Sequence, residues 1–237
     1  MLMEVPITLG NGTAMEWDNI GAMVNRGVET NVNVHVLQHE DFNWYINAVA
    51  SYNHNEITEL YNGLDEYEIP GANILLKVGH SYGEHYLVRY AGVNPANGDA
   101  LWYTKDGAIT NEYNENDKVL LGKSSIAPWQ GGFGTTLSWK GLSLNAQFSW
   151  VKNRWMLNND RYFDESNGMY SSAFNQSKEL LNRWKKPGDL TSIPRYGVTP
   201  QLDAHLLEDA SFLRLKNLTI AYNLPNELLK KTQCISS

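Results

Sequence analysis

Cysteine is almost absent. The only one among 237 residues is Cys234, beside the C-terminus, so no disulfide framework braces the fold. Long apolar runs are absent too. No stretch of the chain reaches the roughly 18 consecutive apolar residues that a transmembrane helix needs. Basic residues are outnumbered, with 19 Lys and Arg against 26 Asp and Glu and a net charge of −7, which argues against nucleic acid as a partner. The opening MLMEVPITLGNG has neither a basic start nor a long apolar stretch, so it does not read as an export signal. Gly-x-Ser-x-Gly, P-loop and HExxH signatures are missing, and the chain does not read as an enzyme.

Alternation of period two is abundant. In LSLNAQFSW, Leu142, Leu144, Ala146, Phe148 and Trp150 alternate with Ser143, Asn145, Gln147 and Ser149, which is the pattern of a β-strand with one apolar and one polar face. Phe133, Thr135, Leu137 and Trp139 alternate in the same way just before it, and Lys140-Gly141 forms the turn between. An earlier hairpin sets Val28, Thr30, Val32, Val34 and Val36 against Trp44, Ile46, Ala48, Ala50 and Tyr52, with QHEDFN between the arms. The glycine-rich QGGFG, Gln130 to Gly134, suggests a bend or a close backbone approach where a strand begins. The strand at Phe212 to Tyr222 is ambiguous. Leu218, Ile220 and Tyr222 share parity with Arg214 and Lys216, whereas Leu213 and Leu215 share parity with Asn217 and Thr219.

Between the hairpins lie two long irregular stretches, Leu60 to Pro128 and Asn153 to Asp209. The first holds the turn signals NPANGD and TKDG; the second holds NQSKELLNRW, Asn175 to Trp184, which reads as a short helix started near Asn175 or Ser177 and stopped by Pro187-Gly188. Short turns alternating with long excursions are the habit of outer-membrane barrels, and arms of about 9–11 residues suffice to cross a membrane. The expected fold is therefore all-β: a partial antiparallel transmembrane β-barrel, a curved sheet of long hairpins with long extracellular loops and one short helix in a loop. A secreted β-sandwich carbohydrate-binding module is the alternative. The two differ in whether lipid or a second sheet meets the apolar faces.

Trp44, Trp139 and Trp150 lie at or near strand ends on apolar faces, and read as membrane-interface aromatics or as soluble core. Tyr82, Tyr86, Tyr90, Trp102 and Tyr103 lie in the first excursion. They are the candidate substrate-binding residues; otherwise they pack the loop itself. His80, Glu84 and His85 do not have zinc-ligand spacing, and Asn97-Gly98-Asp99 lacks the alternating acids of a calcium loop, so neither metal nor cofactor is expected. Asp164-Glu165 and Glu208-Asp209 are adjacent pairs, which a strand would point to opposite faces, unlike the carboxyls of a glycosidase. Arg183 and Lys185 in RWKKPGD fit either an acidic partner surface or a helix C-terminus.

Several motifs then follow in a fixed order. They are NIGAMVNRGVE (Asn19 to Glu29), SYNHNEITEL (Ser51 to Leu60), VGHSYGEHYLVRYAGVNPANGDALWY (Val78 to Tyr103), VLLGKSSIAPWQGGFGTTLSWKGLSL (Val119 to Leu144), RWKKPGDLTSIPRY (Arg183 to Tyr196) and LEDASFLRLKNLTIAYNLP (Leu207 to Pro225). The series resembles the SusC/RagA family of TonB-dependent outer-membrane transporters. The resemblance implies a wide barrel, closed in the family by about 22 strands, in the bacterial outer membrane. Residues 1–237 would be the C-terminal part of that barrel domain, with the plug domain and the final strands missing and KKTQCISS ending the chain where further strands are expected. The implied partners are a SusD-like surface lipoprotein, the TonB system acting through the plug region, outer-membrane lipid, and a glycan or peptide ligand.

Overall fold

The computed structural model describes residues 2–6, 15–19 and 21–224. Cys234 and the closing KKTQCISS lie outside the described residues. In chain order the strands are β1 (Leu2–Pro6), β2 (Met15–Asn19), β3 (Gly21–Gln38), β4 (Phe42–Leu60), β5 (Glu66–Ile69), β6 (Ile74–Lys77), β7 (Glu84–Val88) and β8 (Tyr90–Val93). They continue with β9 (Ala100–Tyr103), β10 (Ile109–Thr110), β11 (Lys118–Ser124), β12 (Trp129–Trp139), β13 (Leu142–Lys152), β14 (Trp155–Leu157), β15 (Leu207–Asp209) and β16 (Phe212–Tyr222). The α-helix is α1 (Asn159–Asp164).

The chain divides into two compact units. One comprises Asn25–His54, Ala127–Asn153 and Ala210–Ser237; the other comprises Met1–Val24, Asn55–Ile126 and Arg154–Asp209. The first unit is a single antiparallel meander in the order β16-β13-β12-β4-β3. Its connections alternate in length. A tight turn joins β3 to β4, residues 61–128 join β4 to β12, Lys140-Gly141 joins β12 to β13, and residues 153–211 join β13 to β16. Lys140 and Gly141 both have positive φ, 46° and 86°. That combination makes the two-residue turn whose twist matches its strands.

Register places the apolar positions of neighbouring strands side by side. Trp139 faces Phe42 and Leu142, Leu137 faces Trp44 and Leu144, Thr135 faces Ile46 and Ala146, and Phe133 faces Ala48 and Phe148. Val32 is 46% exposed, Val34 43% and Ile220 69%. Phe133 and Leu218 on the same side are 38% and 56% exposed, and the sandwich alternative, which needs this side buried, is set aside.

The ambiguous parity of β16 is resolved by a bulge. Asn217 pairs with Gln147 and Leu215 with Phe148, which leaves Lys216 as the extra residue. A bulge lets two residues oppose one, so alternation restarts beyond it. Leu213, Leu215, Leu218, Ile220 and Tyr222 thereby join the apolar row that ends in Trp150, Phe148, Ala146, Leu144 and Leu142.

The glycine-rich start of β12 is explained by close approach. A Cβ on Gly131 would collide with the Val49 carbonyl oxygen and lie 2.7 Å from the Trp150 ring, and one on Gly134 would meet the Gln147 amide.

The second unit corrects the expectation of irregular excursions. Residues 61–128 hold two small sheets, ordered β11-β7-β6-β5 and β10-β9-β8. Ile57, Leu60 and Leu76 form a dry cluster with Tyr67, Ile69, Ile74 and Tyr82 packed on it; Val88, Ala100 and Trp102 form another. NPANGD and TKDG are turns, with Gly98 N–H donating to the Asn94 carbonyl and Gly107 N–H to that of Thr104. The helix expected in NQSKELLNRW is a 3-10 segment, Lys178–Asn182, capped by Ser177, whose hydroxyl accepts from Glu179 N–H. The α-helix lies earlier, at α1, capped by Asn158, and six residues are too few to show helical periodicity.

Lys216 is surplus to the ladder, so its deletion should leave a regular strand with every leucine still on the apolar side. A full-length receptor lacking Lys216 is expected to reach wild-type levels of heat-modifiable barrel on unheated gels. Deletion of Asn145 from the unbulged β13 should abolish that band.

Candidate functional site

The five-stranded wall has two chemically opposite faces. On the polar face the Tyr45 hydroxyl donates to Asn33, whose amide donates to Asn31; Asn145 donates to Thr136 and Asn53 to Asn25. A concavity of about 700 Å³ on the wall is lined by polar residues such as Glu29, Asn31, Gln130 and Lys216 together with apolar ones such as Val49, Val151 and Trp150. On the apolar face Trp139, 55% exposed, stands at the turn end beside Phe42 and Leu142, and Tyr222 lies opposite Leu142. Trp44 stands one rung in, its indole N–H donating to the Thr135 hydroxyl at 2.9 Å, so the ring can face hydrocarbon with its polar atom satisfied. At the far end Trp129 meets Tyr52 at 4.5 Å and Trp150 lies over Gly131.

Trp129 and Trp139 are the two ends of β12, an 11-residue strand. Ten rises of about 3.3 Å make roughly 33 Å. At a tilt of about 40° this becomes about 25 Å, the height of the apolar band of an outer-membrane barrel.

In the second unit the five candidate binding residues are dispersed. Tyr82 belongs to the Ile57 cluster, and its backbone N–H donates to Asn55. Tyr86 sits on β7 opposite Leu120. Tyr103 lies beneath the Arg89 guanidinium at 5.4 Å. Tyr90 and Trp102 do come together, with ring centroids 6.3 Å apart. Trp102 is 5% exposed and donates its indole N–H to Asp203 Oδ2 at 2.6 Å. Asp203 is itself buried, and its Oδ1 also accepts from His205 N–H and Nδ1. Tyr90 donates to the Ser192 carbonyl and packs against the His205 ring. Tyr113 completes the group, edge-on to Trp102.

Asp203, His205 and Tyr113 had no signal in the sequence, because Asp203 lies 101 residues from its partner Trp102. Burial, and secondarily the Asp203 charge, push the Tyr90 phenol well above its ordinary value. Burial, then Glu115 and Asp203, raise that of Tyr113 to about 12.

Several of the remaining acidic and histidine groups form structural pairs. His80 Nδ1 meets Glu84 at 3.0 Å, while His85 Nε2 donates to the Trp155 carbonyl. Arg161 bridges Glu165 at 2.9 Å and Glu208 at 3.0 Å, so both carboxylate doublets contribute to one ion-pair network. Among the described residues no group of three His, Cys, Asp or Glu is placed to hold a metal ion.

No family profile matches the chain. It is similar to TonB-dependent receptor P3 of Formosa agariphila, 26% identical over 255 residues, which span 98% of this chain and 25% of that protein. It is similar also to TonB-dependent receptor SusC of Bacteroides thetaiotaomicron, 27% identical over 252 residues, which span 98% of this chain and 24% of that one. The solved RagAB peptide transporter superposes with a TM-score of 0.87 at 39% identity, over 96% of this chain and 26% of the matched one. This chain is homologous to the TonB-dependent receptors SusC and RagA. Its five-stranded wall is part of an outer-membrane β-barrel. The chain spans about a quarter of the length of the curated relatives it matches.

Two outcomes test the Tyr90–Asp203 cluster. Asp203→Ala strands the Trp102 indole and the His205 amide, so it should destabilise the excursion unit by about 1–3 kcal/mol for each unpaired buried group. Thermal unfolding followed by tryptophan fluorescence measures this. A raised phenol pKa adds stability that is fully present below pH 10.0, the ordinary value, and is lost as pH rises toward the folded value. Alkaline titration should therefore loosen the unit between pH 10.0 and about 12, with Trp102 fluorescence shifting to the red over that window.

Proposed function

We propose that this chain forms part of the barrel of a TonB-dependent importer that takes up glycans or peptides with a SusD-like surface lipoprotein. The observation that carries this reading is the single-layer wall with one bare apolar and one hydrogen-bonded polar face. Such a sheet is stable only where hydrocarbon covers the first face and a wet lumen the second. In that setting Trp44, Trp139 and Trp150, with Trp129 and Tyr52, form the interfacial girdles. The two excursions form the outer surface, because long connections lie outside the cell and short turns on the periplasmic side. The TonB system acts through a plug supplied by the rest of the receptor. Peptide is the cargo named for RagAB, and the neutral amides and hydroxyls of the polar face suit a peptide or a sugar chain alike. Tyr90 and Trp102 brace the excursion surface that such a ligand meets, and Tyr82, Tyr86 and Tyr103 support the same surface at other points.

Uptake of a labelled oligosaccharide or peptide by cells carrying the full-length receptor should require TonB and disappear when the receptor is deleted. The orientation of the wall has a sharper test. Phe148→Arg, in the middle of β13, places a charge in hydrocarbon, at a cost of roughly 2–4 kcal/mol near the midplane, and should prevent assembly. Asn145→Arg, on the opposite face of the same strand, points to the lumen and should assemble normally. Equal assembly of both would exclude the barrel reading.

A further inference from the structure

The apolar face of the wall changes character at one end. Tyr45 bonds Asn33 and Asn53 bonds Asn25, which sets one antiparallel register along β4 and β3. Arg26 therefore stands beside Tyr52, on the face opposite those asparagines. Trp129 pairs with Tyr52 on one side and with Lys152 on the other. One rung thus reads Arg26, Tyr52, Trp129, Lys152 across four neighbouring strands. From that rung to the Lys140-Gly141 turn, the apolar-face positions of the wall hold no other Lys, Arg, Asp or Glu. Arg26 and Lys152 are exposed, and neither makes a side-chain ion pair among the described residues. At the opposite end Lys140 lies 3.7 Å from Asp41, so that cation is balanced within the chain.

Between the two cations the Tyr52 and Trp129 rings lie 4.5 Å apart with their planes at 42°. The next rung is small: Ala50 pairs with Gly131, and the Trp150 ring stands against Gly131. The rings therefore overlook a shallow seat. Tyr52, Trp129 and Lys152 lie on β4, β12 and β13, each paired on both sides within this chain. Further strands of a barrel join at the edges of the wall, beyond these three. Because the wall is part of an outer-membrane barrel, lipid is what meets its apolar face. Both long connections, residues 61–128 and 153–211, leave the wall from this end.

We propose that Arg26, Tyr52, Trp129 and Lys152 seat the headgroup of one phosphorylated glycolipid in the outer leaflet. Lys152 and Arg26 hold its phosphate groups, and the Trp129 and Tyr52 rings cover the C–H face of a sugar. This rests on the importer reading above for which end of the wall faces outward. A lone interfacial cation snorkels to whatever headgroup is near. Here two cations stand three strand spacings apart, about 14 Å, with an aromatic platform between them. That span matches a headgroup of sugar rings better than a single small anion. Charge-assisted hydrogen bonds supply the selectivity for phosphate, and the rings supply an amphipathic surface at the level where hydrocarbon meets headgroups.

The test uses the full-length receptor in mild detergent and native mass spectrometry of the lipid it retains. The probes are a diglucosamine lipid carrying phosphate and the same lipid after dephosphorylation. The wild type is expected to hold the phosphorylated form about 10-fold more tightly, in line with charge-assisted contacts. The Arg26→Gln, Lys152→Gln double variant should lose that preference while giving the same heat-modifiable band, and Lys152→Arg in place of Lys152→Gln should restore part of it. Lys140→Gln, at the other end of β12, should behave as the wild type. Equal retention of both lipids by the wild type, which needs no variant to fold, would refute the site. So would an undiminished preference in the double variant, or an equal loss in Lys140→Gln. Displacement of the lipid by inorganic phosphate would reassign the cations to a free anion and overturn the proposal. A receptor that imports its cargo yet shows no lipid preference loses this site and keeps the importer reading. One that shows the preference without TonB-dependent uptake keeps the site and loses that reading.

Discussion

Backbone amides in hydrocarbon have no water to bond, so every one must find a partner within the sheet. That constraint governs the wall. It demands an unbroken ladder from β3 to β16, and the ladder in turn demands that alternation be kept on every strand. Where the sequence of β16 would break alternation, the chain inserts Lys216 as a bulge and keeps Leu213 and Leu215 in the apolar row. Where side chains crowd the ladder, glycine gives way, as at Gly131 beneath Trp150 and Gly134 beneath Gln147.

The excursions obey ordinary aqueous rules. They build small dry clusters around Leu76 and Trp102, and they satisfy buried polar groups through side chains. Asp203 serves the Trp102 indole, the His205 amide and the His205 ring at once. Asn167 does similar work nearby by donating to the carbonyls of Pro194 and Arg195. Such groups pin the irregular segment after Asp189 without any regular secondary structure.

The wall was legible because period-two alternation is a local signal. LSLNAQFSW and its partner across Lys140-Gly141 show strand, face and turn within about two dozen residues, and all three are found where the pattern puts them. The parity of β16 was not legible, because a bulge is a property of pairing and leaves no mark on one strand alone. The excursions hid most. Strands of four or five residues such as β6 and β7 are too short to show a period, and the Trp102–Asp203 bond joins positions in different excursions. Of the aromatic residues singled out for binding, Tyr90 and Trp102 share a site, but what draws them together is a carboxylate that nothing in the sequence distinguishes from its neighbours.

The bonds from Trp102 to Asp203 and from Arg195 to Asp99 close loops of 101 and 96 residues. Contacts between such distant segments form slowly, since the closure entropy must be met before they return any stabilisation. The cluster around Ile57 and Leu76 draws only on residues 57–82 and can form early, whereas the Trp102 cluster needs Val198 and Asp203 from the other excursion. A chain held together by such late-closing contacts gains its first local sheets before the buried carboxylate finds the indole that it serves.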